Sequence, residues 1–329
     1  MKCTNRRTIR AYLLSILVCI FSLCGCGKLT FEMPYEVSAS ISGFNVVAKG
    51  NDNTMATPFA ADLCIITEDI LDDQVDMSQV GAAVLFDLKD RSVLYSKNAH
   101  EKMYPASLTK VMTALVALKF GTLDQVLTAT NAVNITESGA QLCGLKAGDT
   151  MTLSQALYIL MMYSANDVAM LIAENIGGSV DNFIAMMNEE ANAIGATNTH
   201  FVNPHGLTDV EHYTTAYDMY LIFNEALKYD TFTQIIQTNS YQTTFTDKNG
   251  KAKELSFSTT NRFLKGHFTP PSNVTVIGGK TGTTNAAGHC LMLLSKDASG
   301  GSYISIIMRS KTNDDLYSEM IDLLDEINK

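Results

Sequence analysis

The sequence predicts an α+β domain: an antiparallel sheet covered by helices, with an all-helical subregion in the middle of the chain. Three observations carry that reading. A hairpin-like pair of apolar runs stands at residues 80–95, and three more strand-like runs lie between 274 and 308. Between the two groups, apolar residues recur at three- and four-residue spacing. Strands at both ends of one domain close into a sheet, and the helices between them must cover it.

The chain has 329 residues, 46% hydrophobic and 18% charged, which excludes a disordered or collagen-like protein. Its 24 Lys and Arg against 34 Asp and Glu give a net charge of -10, so binding nucleic acid through phosphates is not expected. Lys2, Arg6, Arg7 and Arg10 precede an apolar run at 11–23 that matches a signal peptide and is too short to span a membrane comfortably. At its end Leu23-Cys24-Gly25-Cys26 resembles the bacterial lipobox, whose cysteine receives a diacylglycerol. Residues 1–25 are thus expected to leave as a lipoprotein signal peptide. Cys26 would then hold the protein on the outer, extracytoplasmic face of a bacterial membrane, two acyl chains sufficing for a stable anchor. The alternative is an ordinary secretory signal with incidental cysteines. Only Cys64, Cys143 and Cys290 then remain as thiols, without metal-ligand spacing, and His100-Glu101 lacks a zincin's second His because Tyr104 stands there. No metal and no cofactor are implied.

Residues 26–78 are polar and acidic and read as a tether with little fixed structure. The domain is assigned to 79–329. Within it a strand at 80–86, a polar turn and a strand at 93–95 read as a hairpin. A helix follows Pro105 with Ser107 in its first turn, its apolar stripe running through Leu108, Val111, Met112, Leu115 and Leu118. Further helices are expected at 153–163, 167–176, 180–194 and near 215–227, with glycines as stops. Strands follow at 274–279, 289–294 and 303–308, and Leu316, Met320, Leu323, Leu324 and Ile327 mark a terminal amphipathic helix.

Three motifs could carry chemistry: Ser107-Leu-Thr-Lys110, Ser164-Ala-Asn166 and Lys280-Thr-Gly282-Thr283. Residues three apart on a helix share a face, so the Lys110 amine can reach the Ser107 hydroxyl. A serine is a poor nucleophile until a base takes its proton, and a lysine is that base only when neutral. Burial, the second cation Lys280 and a helix N-terminus would each lower the Lys110 pKa. Ser164 and Asn166 fall in a break between helices, where a hydroxyl can relay a proton and an amide can hold a peptide group; the bland reading makes one of them a helix cap. The third motif ends a β-branched strand, where Gly282 lets an extended ligand approach the backbone and Lys280 and Thr281 can meet a carboxylate.

Tyr104-Pro-Ala-Ser-Leu-Thr-Lys110, Ser164-Ala-Asn-Asp167, Phe201-Val-Asn-Pro-His-Gly-Leu207, His212-Tyr213-Thr214 and Gly279-Lys-Thr-Gly-Thr-Thr284 together resemble the serine D-alanyl-D-alanine carboxypeptidases, the low-molecular-mass penicillin-binding proteins of peptidase family S11. That resemblance covers residues 80–327. It implies a β-lactamase/transpeptidase-like fold that acts on peptidoglycan stem peptides ending in D-Ala-D-Ala and is acylated by β-lactams. It further implies Ser107 as acylated nucleophile, Lys110 as its base, and Ser164 and Asn166 as relay and amide clamp. Lys280, Thr281 and Thr283 would receive the terminal carboxylate region, and the N–H groups of Ser107 and Thr283 would form an oxyanion hole. No catalytic role passes to His205 or His212. Where some relatives place a basic residue before the last helix, this chain reads Asn313-Asp-Asp-Leu316.

Two other functions share parts of this pattern. A class A β-lactamase needs a glutamate with Asn four residues on, and no Glu between the second and third motifs has one. A non-catalytic, lipid-anchored peptidoglycan-binding protein would keep the fold without the chemistry, yet every motif side chain is intact.

Overall fold

Alternation of side chains across one sheet organises the domain. The computed structural model describes residues 60–329. Strands β1 (Ala82–Asp87) and β2 (Ser92–Lys97) form the expected hairpin, and β7 (Val274–Thr284), β8 (Gly288–Asp297) and β9 (Ser302–Ser310) complete an antiparallel sheet in the order β2-β1-β9-β8-β7. Successive residues of its inner strands point to opposite faces. Cys290, Met292 and Leu294 of β8 and Ile304, Ile306 and Met308 of β9 enter one core, and Leu291, Leu293, Tyr303 and Ile307 enter the other. Both faces are therefore covered, which is why these strands read as nearly continuous apolar runs.

The larger core lies under α1 (Thr109–Phe120), α2 (Leu153–Met162), α3 (Asn166–Gly177), α4 (Val180–Ala193) and α5 (Ala216–Ala226). Every residue of α1 from Thr109 to Ala117 is buried, so this helix is the central post of the helical layer. Truncating Leu115 to alanine there costs about 2–5 kcal/mol. The second core lies under α7 (Asn313–Asp325), whose Leu316, Tyr317, Met320, Leu323 and Leu324 face the sheet. Ser and Thr caps start most of these helices; Thr152 and Gln155 form a full capping box at α2.

Three sequence expectations need correction. A second antiparallel sheet exists, in the order β3-β4-β5-β6, from β3 (Val126–Thr128), β4 (Thr150–Thr152), β5 (Ser240–Thr246) and β6 (Ala252–Ser258), and α6 (Asp230–Ile236) precedes β5. Its strands are short or half-solvated, with Phe245 and Phe257 as the buried residues of β5 and β6, so the apolar signal was thin. Next, β7 runs through the third motif to Thr284 instead of stopping before it. Finally, the part of the proposed tether that is described packs against the domain.

Cys64, Ile66, Val75 and Met77 are buried, Ile70 pairs with Ser96 through two backbone bonds of 2.8 and 2.9 Å, and Cys64 N donates to the Tyr220 hydroxyl at 2.9 Å. Acidic residues between these anchors face water and gave the segment its tether-like composition. The packed unit is Asp62–Lys329. The signal peptide, Cys26 and the remaining tether residues lie outside the described residues.

Candidate active site

Ser107 sits in a 3-10 turn, Ala106–Leu108, immediately before α1 rather than in that helix's first turn. Ala106 adopts φ +49°, a left-handed conformation that costs a non-glycine residue about 1–3 kcal/mol. Its surroundings hold it there. Thr109 Oγ1 donates to Ala106 O at 2.8 Å, and His212 Nε2 lies 2.8 Å from the same hydroxyl. Val202 N donates to His212 Nδ1, so Nε2 carries the proton and donates to Thr109. Burial lowers the His212 pKa to about 4 and keeps the ring neutral. Gly206, at φ +89°, supplies the room: a Cβ on it would lie 1.8 Å from Ala106 O. The Asn-Pro-His-Gly segment and His212 thus build the turn that carries Ser107.

Lys110 is fully buried behind Ser107. Its Nζ lies 3.0 Å from Ser107 Oγ, 2.6 Å from Asn166 Oδ1 and 2.6 Å from His205 O. The last two oxygens accept only, so a neutral amine gives them its two hydrogens and turns its lone pair on the serine hydroxyl. Burial first, then the charge of Lys280, pull its pKa well below the usual lysine value, against a weaker opposing pull from Asp167. Here the predicted geometry and the predicted electrostatics coincide.

Ser164 occupies the break between α2 and α3 at φ +66°, and Asn166 opens α3. Neither caps the helix; the cap position is Ala165. Instead Asn166 reaches Lys110, and Ser164 Oγ accepts from Lys280 Nζ at 2.9 Å. Asp167 fixes the loop over the site, its buried carboxylate accepting from the N–H groups of Cys143, Gly144 and Leu145 at 2.8–3.1 Å. Lys280, 1% exposed, has its pKa lowered to about 7 by burial alone.

In front of these groups opens a cleft of about 420 Å³ that Ser107, Ser164, Asn166, Thr281, Gly282 and Thr283 line. β7 forms one wall as the sheet's edge strand, which leaves its outer backbone edge to a ligand. A Cβ on Gly282 would lie 3.1 Å from Ser107 N and 3.2 Å from Leu108 N, so this glycine makes room for the Ser107 turn at the cleft wall. All eight residues predicted for catalysis and substrate binding meet at this cleft or directly behind it. Sequence reasoning missed Thr260, whose hydroxyl lies 2.6 Å from that of Thr281 at the cleft wall, and the His205 carbonyl that Lys110 needs. Nothing in the sequence near Thr260 marks it, whereas the glycine of Asn-Pro-His-Gly was a usable signal. Asn313 and Leu316 also line the cleft, and neither supplies a basic group. Among the described residues no cluster of His, Cys, Asp and Glu could hold a metal ion.

Residues 71–312 match the family model described as D-alanyl-D-alanine carboxypeptidase, peptidase S11. The chain belongs to this family. Its relatives include the D-alanyl-D-alanine carboxypeptidases DacF of Bacillus subtilis, 34% identical over 74% of this chain and 61% of that protein, and DacC of Escherichia coli, 32% identical over 74% and 60%. The chain therefore spans about three fifths of the length of those S11 relatives. Among solved structures, the Streptomyces K15 DD-transpeptidase superposes with a TM-score of 0.69 at 27% identity over 75% of this chain and 96% of that one. That similarity supports the transpeptidase-like fold over three quarters of this chain.

Proposed function

We propose that the protein is a serine D-Ala-D-Ala carboxypeptidase that removes the terminal D-alanine from peptidoglycan stem peptides and is acylated by β-lactams. The observation that carries this reading is the Lys110 amine, buried, depressed in pKa, held by two carbonyl oxygens and 3.0 Å from Ser107 Oγ. Ser107 Oγ attacks the carbonyl carbon of the penultimate D-alanine while its proton passes to Lys110 Nζ. The N–H groups of Ser107 and Thr283 take up the oxyanion. Ser164, bonded to Lys280, gives its proton to the leaving nitrogen and takes up the one held by Lys110, so that Lys110 is neutral again as the C–N bond breaks and D-alanine departs. Water then attacks the ester, returning a proton to Ser107. Asn166 holds the substrate amide, and Lys280, Thr281 and Thr283 receive the terminal carboxylate. Family membership and the names of the relatives support the substrate class.

Purified protein lacking residues 1–26 should release D-alanine from a peptide ending in Lys-D-Ala-D-Ala and gain the mass of one penicillin. A folded Ser107→Ala variant should do neither. Labelling that persists in that variant would remove Ser107 as the nucleophile.

The same reading places the enzyme on the outer face of the cell membrane through lipid at Cys26, supported by Leu23-Cys24-Gly25-Cys26 after an apolar run. Mass spectrometry of the mature N-terminus tests this: an unmodified chain that begins elsewhere would refute it.

A further inference from the structure

A second cavity, of about 390 Å³, opens beyond the Thr284 end of β7. Met103, Val210 and Ala287 give it apolar walls, Lys102 and Arg309 supply two cations, and none of the described residues lining it is acidic. In a chain with a net charge of -10, two converging cations without a carboxylate are a selective feature. Lys102 Nζ is fixed 4.1 Å above the Tyr213 ring. Arg309 is placed by the backbone: it takes φ +63° beside a register shift between β8 and β9. Two glycines admit it, since a Cβ on Gly81 would lie 2.9 Å from Arg309 Cβ and one on Gly288 3.3 Å from Arg309 Cα.

The cavity continues the cleft. Thr284 lines the cleft and Ala286 and Ala287 line the cavity, while Thr208 Oγ1 donates to Thr284 Oγ1 at 3.1 Å. A peptide paired antiparallel to β7 with its terminal carboxylate at Lys280 runs upstream past Ser107 towards Thr284. β7 ends at Thr284 and residues 285–287 turn into β8, so the cavity lies just past the last position at which a peptide can pair with β7, where a residue about two positions before the acylated D-alanine would fall.

We infer that this cavity is an upstream subsite that binds a carboxylate on the acyl side of the stem peptide, next to Lys-D-Ala-D-Ala; the inference rests on the carboxypeptidase reading. Lys102 and Arg309 are positioning residues that bind the peptide without touching the reacting atoms.

The test compares D-alanine release from two acetylated peptides, Glu-Lys-D-Ala-D-Ala and Gln-Lys-D-Ala-D-Ala, by the wild type and a Lys102→Gln, Arg309→Gln double variant. The wild type should prefer the Glu peptide by about threefold or more in kcat/KM, as expected for partly exposed ion pairs, and high salt should erode the preference. The double variant should show a ratio near one, with its rate on the Gln peptide and its acylation by penicillin unchanged. Equal rates in the wild type, or a preference that survives in the double variant, would overturn the subsite and leave the carboxypeptidase reading standing. Release from neither peptide would overturn both.

Discussion

Asn166 Oδ1 accepts a 2.6 Å hydrogen bond from Lys110 Nζ, and the oxygen belongs to an amide where a carboxylate would fit equally well. The difference is chemical. An amide oxygen orients the amine without favouring its charged form, whereas a carboxylate at that distance would hold Lys110 protonated. Asp167, one residue on, already pulls in that direction but spends its oxygens on the N–H groups of residues 143–145 and 168.

Asn166→Asp should therefore slow acylation by penicillin at pH 7 by about 100-fold or more, the scale of losing a general base. The neutral lysine is the competent form, so activity falls as pH drops through the Lys110 pKa, and the variant's whole profile should move to higher pH. Asn166→Leu should lose rate without that alkaline shift. Rates of the aspartate variant that do not recover as pH rises would disprove the electrostatic role.

Gly206→Ala should cripple the site from behind. The added Cβ would meet Ala106 O at 1.8 Å, in a backbone conformation unfavourable for alanine, with no flexible side chain to move aside. We expect a loss of about 2 kcal/mol or more in stability and a larger proportional loss of acylation, because the displaced atom precedes the nucleophile. Gly178→Ala, also at positive φ but with open space around it, is the control and should cost less and leave acylation unchanged. Equal effects of the two substitutions would show that strain alone, and not the contact with Ala106, matters at residue 206.

What the sequence made legible follows from how strongly packing repeats itself. The five strands of the main sheet and the helices over it bury apolar residues with period two or about 3.6, so their order was readable from Val84, Leu291 or Leu157 and their neighbours. The β3-β4-β5-β6 sheet carries its register in backbone bonds and few apolar side chains, which leaves little periodic signal. Residues 62–78 failed for the opposite reason: four widely spaced anchors hold them, too few to outweigh the acids between. Within the site, side chains whose function depends on local spacing, such as Ser107 and Lys110, were visible. Thr260 was not, since it meets Thr281 only through tertiary structure.

Burial of Lys280 makes stability depend on pH in a definite direction. Its folded pKa is lowered to about 7 from an ordinary 10.5, so between those values the unfolded chain binds a proton that the folded chain does not. Stability therefore rises with pH through that window and is flat in this respect below it. The urea midpoint should increase from pH 7 to 8.5, a range below the ordinary pKa of the buried thiols, whose raised values act the other way. Lys280→Met should make that slope shallower while Lys110 retains its own share. An identical slope in the variant would mean that Lys280 titrates normally in the folded protein.

A penicilloyl ester on Ser107 should persist far longer than the acyl-enzyme of a peptide. Rapid deacylation requires a base that activates water on the ester, and none of the described residues lining the cleft is a carboxylate. His205 does line it, but burial and nearby Lys110 lower its pKa to about 3, leaving a weak base. Lys110 is then the available base for both halves of the reaction. After a peptide reacts, D-alanine departs and vacates space beside Lys110 and Ser164 for water. A ring-opened β-lactam keeps its leaving nitrogen tethered in that space, so water is excluded where it is needed. Intact-protein mass spectrometry should show the penicilloyl adduct decaying over many minutes while the same preparation turns over Lys-D-Ala-D-Ala peptides repeatedly. An adduct that vanishes within seconds, with penicillin consumed in large excess over enzyme, would place a second base in the cleft and favour a β-lactamase.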